Sequence, residues 1–139
     1  MIMKSFTRTV PIRFSHCDPA GIVFYPRYFE MTNSVVENFF KDAVGRSFAS
    51  MHMAAQNGVP TVRIEADFMA PSRLGDVVTF ALDVVKIGRS SVMVRIVGEM
   101  ANEVRLQATL TLVWVDGMKS ADWPVEMRDR LARHLEGAA

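Results

Sequence analysis

One stretch of the sequence decides the fold: residues 16–30, HCDPAGIVFYPRYFE. Asp18 and Gly21 lie where the chain must turn, and Pro26 suits the first turn of a helix, where its missing N–H costs little. The first N–H groups of a helix have no partner inside it, and the positive end of its dipole faces the preceding loop. The stretch therefore predicts a carboxylate beside free helix amides. These are the parts that acyl chemistry needs, a base or nucleophile and a site for an oxyanion.

The composition limits the class of protein. A chain of 139 residues fits one domain, 1–139, and can bury a real core. Half of the residues are apolar and 22% are charged, which indicates a globular rather than a disordered chain. The net charge of +1 gives no electrostatic surface for nucleic acid. No apolar run approaches the roughly 20 residues that span a bilayer, so we expect no membrane partner.

The location is predicted from two further features. The N-terminal residues 1–6 contain no long apolar segment, so no secretory signal is expected there. Cys17 is the only cysteine, which excludes an internal disulfide and suits a reducing compartment. We therefore expect a cytoplasmic protein.

A long helix is predicted immediately after the loop. Apolar and polar residues alternate with a helical period from about Pro26 to Val44, and Gly45 is a suitable stop. Its many aromatic residues predict burial against a broad surface such as a sheet. Ser47 suits the cap of a second, shorter helix that runs through Gln56.

The remaining elements are mostly strands. Residues 6–14 form an edge strand, because Pro11 cannot donate a hydrogen bond to a neighbour. Turn residues separate the last three strands as an antiparallel meander, and the longest strand is predicted to be central. A C-terminal helix follows, which completes an α+β fold with a helix packed on one antiparallel sheet. The predicted ranges are 60–69, 76–87, 90–100 and 103–115 for the strands and about 124–136 for the helix.

The loop motif resembles a known family. Residues 18–28, DPAGIVFYPRY, resemble the signature of the 4-hydroxybenzoyl-CoA thioesterase family, a branch of the hotdog-fold acyl-CoA thioesterases. The resemblance extends over about residues 6–116 and includes the aromatic helix, the Ala66-Asp67-Phe68 strand and the Leu74-Gly75-Asp76 turn. It implies a long helix wrapped by a five-stranded antiparallel sheet. It also implies a homodimer or homotetramer with the active site at a subunit interface.

The resemblance assigns the catalytic roles to Asp18 and Tyr25. The matching aspartate attacks the thioester carbonyl or activates water for that attack, and the backbone N–H of Tyr25 binds the oxyanion. Read without the family, Asp18 is equally a turn residue that caps the loop, and the amide is an ordinary helix end.

Two neighbours of Asp18 carry further candidate chemistry. On an extended segment His16 and Asp18 share a face and Cys17 does not, so His16 is a candidate modulator and Cys17 an inert small residue. No second ligand cluster with zinc-like spacing exists, so no metal is predicted, and the reaction needs no cofactor.

Substrate binding is expected at two places. By resemblance, Arg89, Ser90 and Ser91 at the hairpin after residues 76–87 hold the phosphates of CoA, with Lys86 and Arg73 as weaker candidates. The alternative is a solvated hairpin that basic residues decorate. Tyr28, together with Phe29 and Met31, is a candidate lining of the acyl pocket.

The predicted function is therefore an acyl-CoA thioester hydrolase that releases a carboxylic acid and free CoA. The acyl group is aromatic, of the 4-hydroxybenzoyl kind, or short-chain. A thioesterase acting on acyl-carrier protein and a non-catalytic acyl-CoA-binding module remain alternatives. A hydratase is disfavoured, because in this fold it relies on a histidine of the central helix, and residues 26–44 contain none.

Overall fold

Antiparallel strands build two sheets in the computed structural model, which describes residues 5–52 and 56–136. The strands are β1 (Phe6–Pro11), β2 (Asn57–Gly58), β3 (Thr61–Phe68), β4 (Val77–Ile87), β5 (Ser91–Met100), β6 (Glu103–Val113), β7 (Val115–Asp116) and β8 (Lys119–Ser120). The main sheet has the order β1–β4–β5–β6–β3, and a small sheet has the order β2–β7–β8. The small sheet was not predicted, because strands of two residues carry no periodic signal.

The long helix, α1, begins at Pro26 as predicted and runs Pro26–Phe39. A π-helical turn, Phe40–Val44, continues it to the predicted end. Gly45 stops the helix with φ +94°, a left-handed conformation that glycine adopts without the steric cost of a Cβ.

The core lies between α1 and one face of the main sheet. Alternate residues of β4, β5 and β6 point towards the helix and are almost completely buried, as the period of two requires. The helix contributes Val35, Val36, Phe39 and Phe40, each no more than 1% exposed. Burying one such side chain contributes about 1.5–3 kcal/mol, so this packing fixes where both ends of α1 lie.

The edges of the main sheet agree with the sequence pattern, but its centre does not. Among the described strands, β1, which ends at Pro11, pairs with β4 alone, and β3 pairs with β6 alone. The prediction that residues 103–115 form the central strand is wrong: β6 is next to the β3 edge, and β5 is in the middle. Strand length did not identify the central strand of the sheet. β3 precedes the meander in the chain but pairs with its last strand, β6, and this pairing makes β5 the central strand.

Of the two predicted shorter helices, the first is described only in part and the second is shorter than expected. Ser47 caps a helical turn, α2 (Phe48–Ser50), by accepting the Ser50 N–H at 3.1 Å. Residues 53–55 of the predicted helix lie outside the described residues. The C-terminal helix, α3, is Val125–Ala132 rather than 124–136.

The C-terminal segment packs on the far end of the core. Trp123 stacks on Trp114 with ring centroids 5.7 Å apart, and on Phe40 at 6.2 Å. Arg128 donates a hydrogen bond to the Gly88 carbonyl at 2.6 Å. This cluster joins α3, the β4–β5 hairpin and the end of α1.

In the described part of the chain, no helix has the length and apolar character to cross a membrane.

His134 is a half-buried ionisable group of this region. Its ring packs edge-on against Phe39 at 5.2 Å, and its Nδ1 is buried without a hydrogen-bond partner among the described residues. Burial lowers the pKa of His134; the nearby Asp83 carboxylate opposes this effect, and Arg133 adds to it. The folded protein therefore binds a proton at His134 less readily than the unfolded chain does.

We predict that His134 makes the protein less stable in mild acid. Below about pH 6.5 the unfolded chain takes up the proton before the folded chain does, so the free energy of unfolding falls as the pH falls. Urea denaturation between about pH 7.5 and about pH 5.5 should show this loss, and His134→Leu should reduce its slope. Equal slopes for the two proteins would contradict the prediction.

Candidate active site

The loop between β1 and α1 folds into two successive tight turns. The first is a 3₁₀ turn, Phe14–His16, in which the Arg13 N–H donates to Nδ1 of His16 at 2.9 Å. In the second, the Asp18 carbonyl accepts the Gly21 N–H at 2.9 Å. Gly21 has φ +82°, which a residue with a Cβ adopts only with strain.

One oxygen of the Asp18 carboxylate accepts a hydrogen bond, and the other has no partner among the described residues. Its Oδ1 accepts the Ala20 N–H at 2.9 Å, which is the turn geometry that the sequence left open. Its Oδ2 has no hydrogen-bond partner within residues 5–52 and 56–136. The half-buried side chain lines a cavity of about 440 Å³, whose other walls are Phe14, Cys17, Pro19, Gly21 and Leu74. The turn therefore holds the carboxylate while leaving it open to a ligand.

The N-terminus of α1 presents a free amide, as predicted. Tyr25 immediately precedes Pro26, and the neighbouring Phe24 N–H is taken by the His16 carbonyl at 2.9 Å. No described carbonyl or side chain accepts the N–H of Tyr25. Its ring is 57% exposed and packs edge-on against Phe68.

A second, larger cavity lies between this amide and the end of β3. It has a volume of about 640 Å³ and is lined by Ile22, Val23, Tyr25, Tyr28, Phe68, Met69, Ala70 and Pro71. All of these side chains are apolar or aromatic, and they include Tyr28 but not Phe29 or Met31. Gly21 lines the Asp18 cavity, and the next residue, Ile22, lines this one.

Behind the larger cavity lies a buried polar network. Tyr28 donates its hydroxyl hydrogen to Oγ of Ser72 at 2.9 Å. Nη1 of Arg105 is 3.1 Å from the same Oγ, 3.1 Å from the Pro71 carbonyl and 2.8 Å from Oδ2 of Asp76. The hydrogen bond between Arg105 and Asp76 lowers the pKa of the Asp76 carboxyl and raises the pKa of the Arg105 guanidinium. A hydrogen bond from the Arg73 N–H also lowers the pKa of Asp76.

Arg73, a weaker candidate for the CoA phosphates, pairs with Ile22 of the Asp18 loop, but the other predicted phosphate-binding residues lie far from Asp18 within the same chain. Arg89, Ser90 and Ser91 are at the β4–β5 hairpin, and Lys86 is exposed near the end of β4. The Asp18 loop lies near the other end of β4, where Ile12 hydrogen-bonds to Asp76. The eleven residues of β4 separate the two places by about 35 Å. One chain does not bring these residues together.

The hairpin is also engaged by the C-terminal segment. Arg89 is highly exposed and forms an ion pair with Asp122, with Nε and Oδ1 3.4 Å apart. The carbonyls of Ser90 and Ser91 accept hydrogen bonds from the backbone of Trp114 and the indole of Trp123. Within residues 5–52 and 56–136, neither serine hydroxyl makes a hydrogen bond.

The predicted arrangement of His16 and Cys17 is wrong. Cys17 lines the Asp18 cavity and His16 does not, because the 3₁₀ turn replaces the extended segment assumed from the sequence. His16 accepts a backbone N–H of its own turn through Nδ1, which is a structural role. Among the described residues, no group of three or more His, Cys, Asp or Glu side chains is placed to hold a metal ion.

The family model described as "Thioesterase superfamily" matches residues 20–107, more than half of the chain. The chain belongs to the thioesterase superfamily. This confirms the family predicted from the loop motif. The match begins two residues after Asp18 and includes the free amide, the larger cavity and the Arg105 network.

Named proteins that resemble this thioesterase superfamily member are thioesterases as well. A 4-hydroxybenzoyl-CoA thioesterase from Pseudomonas sp. (strain CBS-3) is 29% identical over 93 residues, which span 66% of this chain and 66% of that relative. The solved structure of a gentisyl-coenzyme A thioesterase superposes with a TM-score of 0.81 at 22% identity, covering 90% of this chain and 98% of that one. A 1,4-dihydroxy-2-naphthoyl-CoA thioesterase from Synechocystis has a TM-score of 0.83 at 18% identity, with 92% and 96% covered. These structures confirm the hotdog fold.

We predict that the turn at Gly21 sets the stability of the Asp18 loop. Nothing lies within 4 Å of a Cβ built on Gly21, so substitution adds backbone strain without a clash. Gly21→Ala should lower the free energy of unfolding by about 1–2 kcal/mol. Gly21→Asn should lose less, because asparagine tolerates the left-handed region. Chemical denaturation measures both variants, and equal losses would contradict the backbone explanation.

Proposed function

We propose that the protein is an acyl-CoA thioester hydrolase: water and acyl-CoA give a carboxylic acid and free CoA. The observation that carries this proposal is that Asp18, with a free carboxylate oxygen, lines one cavity, while Tyr25, whose amide is free, lines the other. A carboxylate is a competent base or nucleophile, and a free amide at a helix N-terminus is a competent oxyanion donor. Membership of the thioesterase superfamily supports the reaction class.

The roles follow from what each group can do. Asp18 attacks the thioester carbonyl or removes a proton from the attacking water, through the oxygen that has no partner. The N–H of Tyr25 stabilises the negative charge that develops on the carbonyl oxygen, and the dipole of α1 adds to this effect. Single-turnover hydrolysis in oxygen-18 water separates the two routes for Asp18, since only the covalent route puts the label into the aspartate.

The larger cavity supports an apolar, and in particular an aromatic, acyl group. Its lining offers the edges and faces of Phe68, Tyr25 and Tyr28 to a planar ring. Of its two hydroxyl groups, that of Tyr28 already donates to Ser72, so the hydroxyl of Tyr25 is the one available to a polar ring substituent. The aromatic substrates in the names of the relatives support this class.

We predict that Asp18→Asn abolishes most of the turnover. The amide cannot act as base or nucleophile, so kcat should fall by about 100- to 10,000-fold while CoA binding persists. The assay follows free thiol release from a panel of benzoyl-CoA, 4-hydroxybenzoyl-CoA and butyryl-CoA. The exposed Asp129 of α3 supplies the matched control, and Asp129→Asn should keep the wild-type rate.

The alternatives give different outcomes in the same assay. A non-catalytic acyl-CoA-binding module would bind the panel without releasing thiol, and Asp18→Asn would change nothing. An acyl-carrier-protein thioesterase would cleave the same acyl groups faster from the carrier protein than from CoA. Either outcome would overturn the acyl-CoA hydrolase as stated.

We also propose that the working enzyme is a homodimer joined along β3. This strand has one neighbour, β6, and its free edge carries Val62 and Ile64, which are 61% and 39% exposed. An unpaired apolar edge is an aggregation hazard unless another strand covers it.

The lone Cys17 supports a reducing, cytoplasmic location for this dimer.

A two-fold pairing along β3 would also complete the CoA site. Antiparallel pairing puts the Thr61 end of one strand beside the Phe68 end of the other. Thr61 is opposite Leu112, and Ser91 is opposite Val113, so the Thr61 end is also the hairpin end. Arg89 of the partner subunit would then lie at the same end as Asp18.

We predict that charge on the β3 edge dissociates the enzyme. Ile64→Glu should reduce the mass measured by light scattering to that of a monomer, and kcat/KM for benzoyl-CoA should fall with it. Val125→Glu is the matched control, because Val125 is 71% exposed on α3, away from this edge. An Ile64→Glu protein that keeps the wild-type mass would contradict the proposed interface; a tetramer in the wild type would extend it.

A further inference from the structure

A β-bulge directs Arg105 out of the regular pattern of β6. On β5, Gly98 and Glu99 are consecutive, but their partners on β6 are Leu106 and Val104. Arg105 is therefore the additional residue of the bulge. Strict alternation would leave this arginine on the outer face of the sheet, yet it is only 8% exposed. Bulges occur next to active sites, where they re-aim a side chain.

The re-aimed guanidinium holds the connection between β3 and β4. One nitrogen, Nη1, contacts three acceptors in that connection, the Pro71 carbonyl, Ser72 Oγ and the Asp76 carboxylate. The carboxylate of the exposed Glu103 lies 2.8 Å from Nε, which is itself buried and makes no hydrogen bond among the described residues. A buried charge with this many partners fixes the backbone around it, because losing any of them leaves the charge uncompensated.

Ser72 links Arg105 to the segment around Tyr25, the candidate oxyanion site, through two hydrogen bonds. Its carbonyl accepts the Val23 N–H at 2.9 Å, two residues before Tyr25. Its Oγ accepts the Tyr28 hydroxyl at 2.9 Å, three residues after Tyr25. The segment that presents the free amide is therefore held at both ends by one residue, and that residue is held by Arg105.

We propose that Arg105 is a positioning residue that sets the turnover rate through Ser72, by fixing the Tyr25 amide relative to the Asp18 loop. Arg105 lines neither of the two cavities, so it does not touch the substrate. The inference rests on the proposed thioesterase function. Its physical basis is that a displacement of about 1 Å at a reacting centre can cost about 100-fold in rate.

The first test compares kcat and KM. Arg105→Met should lower kcat about 100-fold for benzoyl-CoA or whichever panel substrate the wild type cleaves fastest, while KM changes little. Arg105→Lys should recover part of the loss, because the lysine ammonium can replace Nη1, the one nitrogen that makes all three contacts. The recovery should be incomplete, because the lysine side chain is one bond shorter and its nitrogen does not reach the position of Nη1. Arg95→Met is the matched control: Arg95 also forms an ion pair, with Glu136, but on the outer face of the sheet, and it should keep the wild-type kcat.

The second test measures coupling. Ser72→Ala removes Oγ and should lower kcat by itself. If Arg105 acts through Ser72, the double variant Arg105→Met/Ser72→Ala should lose much less than the product of the two separate losses. Multiplicative losses, or a folded Arg105→Met protein with unchanged kcat, would overturn the proposal.

A third measurement does not depend on activity. Amide hydrogen exchange followed by NMR should show lower protection of the Val23 N–H in Arg105→Met, with unchanged protection of Leu82 in β4. If Arg105→Met does not fold, Arg105→Lys and Tyr28→Phe are compared in the same way. A wild type that cleaves nothing in the panel would refute the thioesterase, whereas unchanged Val23 protection in the variants would refute the positioning role.

Discussion

The packing of α1 against the main sheet is the constraint on which the rest of the structure depends. With its π-helical turn the helix runs from residue 26 to residue 44, about 28 Å. Because its apolar side is buried along the whole length, the helix cannot shift or rotate without exposing core. Its free N-terminal amide is therefore held in one place, and the loop that carries Asp18 has to form beside it.

This constraint divides the molecule into two ends. The loop, both cavities and the Arg105 network lie where β4 begins. The basic hairpin, α3 and the aromatic stack lie where β4 ends. A ligand that needs the carboxylate and the basic hairpin together exceeds what one chain offers. In the dimer that we propose along β3, oligomeric structure and substrate binding are therefore one problem.

The sequence predicted most of the fold because most of it follows from local periodicity. The bounds of α1, the edge position of β1, the meander and the turn around Asp18 all come from patterns that a single element carries. The position of β6 in the sheet was wrong, because strand order depends on pairing between distant segments. The faces of His16 and Cys17 were wrong because three residues form a 3₁₀ turn instead of an extended segment.

The residues that the sequence did not reveal are those that act only through long-range contacts. Ser72, Asp76 and Arg105 are ordinary turn and strand residues in the chain, and Arg105 falls on the solvent side of the alternating pattern. Only the additional residue in β6 turns its side chain inward, and no local signal marks a bulge whose partner is in another strand.

Both tryptophans of the chain, Trp114 and Trp123, belong to the stack at the hairpin end, where the C-terminal segment docks. Arg46 lies over the Trp114 ring, 5.5 Å from its centroid, and the Trp123 indole donates to the Ser91 carbonyl. The intrinsic ultraviolet emission of the protein therefore originates from a single site, remote from the carboxylate of its own chain. It reports the attachment of the last helix, and it is a natural optical signal for events at the hairpin rather than at the loop.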